Sequence, residues 1–151
     1  MDEPTAAIER ALFTLRRLHA RRTPSRTACG SAWDNALIAV LDAIDQTGER
    51  PCTVSAVAKA LHVDLSSVSR LVAQAVEAGL VERTADQTDG RKAVLVLTPD
   101  GQATAEKVQA LRRSLFTQAM AGWPAHEQAT FSRLLVTFTE RYEAVVNADR
   151  P

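Results

Sequence analysis

The sequence predicts a mainly α-helical fold carrying one small β-hairpin. Three observations predict it. Residues 53–79 hold two apolar stripes at helical spacing, joined by a short turn. Residues 80–97 hold two short β-compatible runs around a polar, glycine-bearing segment. The remaining long segments repeat their apolar residues every three or four positions. With 151 residues, 46% hydrophobic and 24% charged, the chain suits one globular domain with helical extensions.

The first helix spans about Thr5 to Arg22, with a seam of Ile8, Leu12, Leu15 and Leu18 or His19, and Pro24 ends it. Its arginines, with Arg26 beyond, make the N-terminal region basic, a pattern more often a solvated face than a phosphate site. After a loop from Thr23 to Gly30, a second helix runs from about Ser31 to Thr47. It turns Trp33, Leu37, Val40, Leu41 and Ile44 inward, and Gly48 closes it.

Thr53 is the N-cap of the next helix, in which Val54, Val57, Ala58 and Leu61 form the stripe. His62 and Val63 form a turn, and Asp64 caps a following helix whose Leu65, Val68, Leu71, Val72 and Val76 face inward. Gly79 stops that helix. Its outer face carries Ser66, Ser67, Ser69, Arg70 and Gln74, short hydrogen-bonding side chains with one long cation. A helix with this outer face, braced by a short helix across it, has the geometry that enters a DNA major groove.

Leu80–Thr84 and Ala93–Leu97 then read as strands around a turn containing Asp86, Asp89 and Gly90. A hairpin directly after such a helix pair is a wing, and its tip carries Arg91 and Lys92, cations a ribbon projects toward phosphates or a minor groove. Thr98-Pro99 is an N-cap followed by a first-turn proline, opening a helix to about Ala121 with Ala103, Val108, Leu111 and Leu115 on one side. Gly122-Trp123-Pro124 breaks it. The last helix, to about Asn147, bears a broad apolar face of Phe131, Leu134, Leu135, Phe138, Tyr142 and Val145, which suggests a partner chain.

The helix pair, the stretch from Ala78 to Arg83, the wing sequence Asp89-Gly90-Arg91 and the run Leu97-Thr98-Pro99-Asp100-Gly101 together resemble the MarR family of winged-helix transcriptional regulators. The likeness covers essentially the whole chain; His62 departs from it, standing in the turn where many such motifs carry glycine. The resemblance implies a single domain over 1–151, with dimerisation helices at about 1–30 and 99–147 and a winged helix-turn-helix lobe at about 31–98. It also implies a homodimer that binds double-stranded DNA at a pseudo-palindromic operator, in the sense of a repressor. A small aromatic effector is implied as well, with His19 and Trp33 as candidates for lining its crevice.

The residues offer no enzyme. His19, His62 and His126 fall in unrelated segments, and no HExxH, GxSxG, P-loop or GxGxxG spacing occurs. Cys29 and Cys52 lack zinc-site spacing, so neither metal nor cofactor is expected. Without a membrane-length apolar run or a signal-peptide pattern, the expected location is the cytoplasm. Net charge is zero, and between residues 51 and 98 Lys59, Arg70, Arg83, Arg91 and Lys92 are matched by Asp64, Glu77, Glu82, Asp86 and Asp89. Affinity for DNA therefore rests on where charges point rather than on bulk attraction. That balance keeps open a winged-helix protein-interaction module without DNA binding. A redox sensor acting through Cys29 or Cys52 is the other alternative.

Overall fold

The computed structural model describes residues 3–21, 35–47, 51–86 and 93–148. Among them, six helices and one hairpin follow in order: α1 (Pro4–Arg21), α2 (Asn35–Gln46), α3 (Val54–Leu61), α4 (Leu65–Glu77), β1 (Val81–Ala85), β2 (Ala93–Leu97), α5 (Pro99–Ala119) and α6 (Ala125–Ala148). The chain divides into two units, residues 1–111 and 112–151.

The first unit holds the core. From α2 come Leu37, Ile38, Val40, Leu41 and Ile44; from α3 Val57 and Ala58; from α4 Val68, Val72 and Ala75. Leu80, Val81 and Leu95 close it on the hairpin side, and Ala105 and Val108 of α5 complete it. Leu37, Val40, Leu41 and Ile44 are all buried, as the α2 periodicity predicts. Trp33 lies outside the described residues.

The strands pair antiparallel, from Val81 opposite Leu97 to Ala85 opposite Ala93, with β1 set one residue later than its sequence suggests. Leu95 N–H also donates to Cys52 O at 2.8 Å, tying the segment before α3 to β2.

Three inward assignments are corrected. On α4, Leu65 is 53% and Val76 37% exposed, while Ala75 is fully buried. At about 100° per residue, the buried row is fixed by Val68, Val72 and Ala75, and Leu65 and Val76 fall roughly 60–80° to one side of it. On α5, Ala103 is exposed and Ala105 is buried. Val108 sets the phase there, since positions three and seven before it, Ala105 and Gly101, share its face. Two alanines two positions apart give a sequence pattern nothing to choose between them.

The α1 seam exists but stays uncovered: Ile8, Leu12, Leu15 and Leu18 are all 40% exposed or more. In the second unit, Gly122 takes φ +82° at the turn before α6, a conformation only glycine adopts without strain. Trp123 packs edge-on against Phe131, ring centroids 5.5 Å apart. None of the residues of α6 is buried, so its apolar face, with Phe131, Leu134, Leu135, Tyr142 and Val145, is open.

Candidate nucleic-acid interface

The helix pair is built from four local devices. Thr53 Oγ1 accepts the Ala56 N–H at 3.2 Å and starts α3. At its end, Val63 N–H reaches Ala58 O at 3.1 Å and His62 N–H reaches Lys59 O at 3.2 Å, the paired bonds of a Schellman stop. That stop demands a left-handed residue, and His62 supplies it at φ 52°, the one non-glycine among the described residues with positive φ. Asp64 Oδ1 then accepts the Ser67 N–H at 2.8 Å and starts α4. The same stop closes α4: Leu80 N–H to Ala75 O at 2.9 Å, Gly79 N–H to Val76 O at 3.0 Å, with Gly79 at φ +72°. Thr53, His62, Asp64 and Gly79 all stand where the sequence places them.

Asp64 does more than cap. Its carboxylate also takes the Ser66 hydroxyl hydrogen bond. The Ser66 hydroxyl first, then the Ser67 side chain and backbone N–H, hold it well below the usual carboxylate range, so it is ionised at any physiological pH.

On α4, Ser66, Arg70 and Gln74 are exposed at four-residue intervals, a row lying away from Val68, Val72 and Ala75. Ser67 and Ser69 sit half-buried on the two flanks. The structure therefore brings three predicted site residues to one outward row and places the two other serines at its margins. Glu77 ends the outer face with an exposed carboxylate, a charge that disfavours polyanionic DNA at that end. Sequence reasoning missed two exposed apolar side chains here, Val63 at 42% and Leu65 at 53%. A signal for the second exists: Leu65 follows the N-cap directly, where the helix has no preceding turn to cover it.

The wing predicted from sequence is present as the β1–β2 pair. Its tip, including Asp89, Gly90, Arg91 and Lys92, lies outside the described residues, as do Cys29 and the side chain of His19. At the base of the wing, Thr98 joins three elements. Its N–H donates to Leu80 O at 3.0 Å, its hydroxyl donates to Gly79 O at 2.7 Å, and Oγ1 accepts the Gly101 N–H at 3.0 Å as the cap of α5. A Cβ on Gly101 would stand 1.9 Å from Leu80 O, so only glycine lets α5 approach the end of α4 this closely. The Thr98-Pro99-Asp100-Gly101 run thus has a packing reason: it seats the end of α4 and the start of β1 against α5.

The MarR family model matches residues 38–92, from within α2 through the helix pair and β1 to just before β2. Over 134 residues the chain is 26% identical to YxaD, an uncharacterised HTH-type transcriptional regulator of Bacillus subtilis (strain 168), covering 89% of this chain and 92% of that one. Over residues 38–92 the chain is therefore similar to the MarR family. Its fold is also that of Streptococcus pneumoniae FabT, whose structure is of a complex with DNA: TM-score 0.75, 21% identity, 93% of this chain and 99% of that chain. Bordetella bronchiseptica BpsR, whose DNA binding is regulated by 6-hydroxynicotinic acid, matches at TM-score 0.59 and 26% identity over 84% of this chain and 91% of that chain.

Cys52 is buried in the core with Sγ 3.9 Å from Thr47 Oγ1. Burial disfavours the reactive thiolate, which weighs against Cys52 as the redox sensor considered from sequence. A cavity of about 230 Å³ lies beside it, lined among others by Ile44, Thr47, Leu95, Leu97 and Gln102. Among the described residues no cluster of three metal-ligating side chains occurs, and no helix is long and apolar enough to cross a membrane.

Proposed function

We propose that this chain is a MarR-type regulator, a homodimeric, sequence-specific DNA-binding protein that occupies a pseudo-palindromic operator and acts as a repressor in the cytoplasm. The observation that carries this reading is the two-sided construction of α4. Val68, Val72 and Ala75 lock one side into the core while Ser66, Arg70 and Gln74 stand exposed on the other. Such a helix, docked by its inner side on α2 and α3, offers its outer row to a major groove without unfolding anything. Arg70 is the residue for bidentate contact with guanine, and Gln74, Ser67 and Ser69 supply further contacts to base edges or phosphates. Arg91, with Lys92, reaches a flanking minor groove from the wing, and Asp89 orients its guanidinium.

Two copies are required because one recognition helix covers only a half-site. The uncovered apolar seams of α1 and α6 are the material for that pairing. A small aromatic effector that alters the separation of the two reading heads would regulate binding, with His19 and Trp33 as its proposed contacts. The regulation of BpsR by 6-hydroxynicotinic acid supports the class of effector.

The test is a gel shift with fragments of the promoter DNA neighbouring the gene, repeated over a series of salt concentrations. Binding that survives competition by unrelated DNA and weakens steeply with salt is the expected result. No shift at any salt concentration contradicts the reading and favours an interaction module.

A further inference from the structure

The first turn of α4 carries a combination that docking of the helix on the core does not explain: a large apolar side chain in the open and a serine whose proton is already committed. Leu65 is 53% exposed at the first position of the helix that would enter the groove. Beside it, the Ser66 hydroxyl donates to Asp64 Oδ1, and the same carboxylate is fixed in place by the Ser67 N–H at 2.8 Å. A serine hydroxyl has one proton and two lone pairs. With the proton held by an ionised carboxylate, Ser66 Oγ faces outward as an acceptor.

That polarity limits what Ser66 can recognise. Phosphate oxygens offer only acceptors, so Ser66 is not a backbone contact, although the outer-face serines as a group read from sequence as phosphate or base contacts. In the major groove guanine also offers only acceptors, at N7 and O6. The donors there are the amino groups of adenine and cytosine. Leu65 separates these two, because an apolar side chain gains from the C5-methyl of thymine and cytosine carries no such methyl. We propose that the first turn of α4 reads an A·T pair in each half-site, Ser66 Oγ accepting from adenine N6 and Leu65 lying against the thymine methyl. This rests on the DNA-binding reading above and adds to it a named base pair and two specificity-determining residues.

The experiment starts with selection of bound duplexes from a random pool by the wild-type protein. Each position of the enriched motif is then changed chemically, thymine to deoxyuridine, which removes only the methyl, and adenine to purine, which removes only the amino group. At one A·T pair per half-site, deoxyuridine weakens wild-type binding about fourfold, the worth of one buried methyl-sized group. The same change leaves Leu65→Ala unaffected. Purine at that pair weakens the wild type about fivefold, as loss of one hydrogen bond does, and leaves Ser66→Ala unaffected. Both variants keep the wild-type salt dependence, which also shows that they are folded and bind DNA. A motif whose every A·T pair tolerates both changes, or variants that remain as sensitive as wild type, overturns the inference alone. A wild-type selection that enriches no motif overturns the DNA-binding reading and this inference with it.

Discussion

Arg70 and Arg91 are both arginines that the proposed interface uses, and the physics of their contacts differs. Arg70 stands on the exposed row of α4, where a fork of N–H donors matches the N7 and O6 acceptors of guanine. Arg91 is proposed for the wing contact, where the field of a narrow minor groove attracts any cation. Arg70→Ala is therefore expected to weaken operator binding by about 1–3 kcal/mol and to relax preference at one base pair. Arg91→Ala is expected to weaken binding similarly across sequences and to reduce the salt slope. Parallel titrations on operator and scrambled DNA check this, and equal losses on both DNAs for both variants contradict it. At this scale much was legible from sequence. Thr53, Asp64, Gly79 and Thr98 were readable because a cap needs a particular side chain at a particular step. The exposure of Leu65 was legible only in part: its place directly after the N-cap leaves it no preceding turn, but apolar character does not state whether a neighbour arrives to cover it.

Elements meet here at a joint made by glycine and threonine rather than by a large apolar contact. Gly79 and Gly101 both belong to it, for different reasons. A Cβ on Gly79 would meet only open space, but the residue sits at φ +72°, so an alanine there is strained by its own backbone. Gly101 has an unstrained backbone but no room, with Leu80 O only 1.9 Å from where a Cβ would stand. Gly79→Ala is expected to lower stability by about 1 kcal/mol. Gly101→Ala is expected to cost about 2–3 kcal/mol or more, because backbone atoms must shift rather than a flexible side chain. Thermal or urea unfolding of the two variants checks the order, and a Gly101→Ala protein as stable as wild type contradicts the close approach. The sequence carried the family-like run around Gly101, but its reason is a contact with Leu80, 21 positions earlier in the chain, which no local pattern shows. The phase of α5 was lost for a related cause, since Ala103 and Ala105 differ only in what lies opposite them.

For the whole molecule, the decisive feature is how unevenly the apolar residues are covered. The first unit buries a continuous core, whereas α6 buries none of its residues and α1 leaves its seam open. Covering a half-exposed leucine or phenylalanine contributes about 1 kcal/mol, and α6 alone offers Phe131, Leu134, Leu135, Tyr142 and Val145. In the homodimer proposed above, a second copy would supply such cover and, by symmetry, a second α4. Sequence showed this surplus clearly, since α6 carries a full apolar face at helical spacing, broader than a stripe packed on one neighbour needs. The central claim is that two recognition helices are held at a separation set by the protein. The most direct measurement is the affinity for a selected operator before and after about five base pairs are inserted between its half-sites, which rotates one half-site by about half a turn. A fall to the affinity of a single half-site is predicted; unchanged affinity contradicts the account.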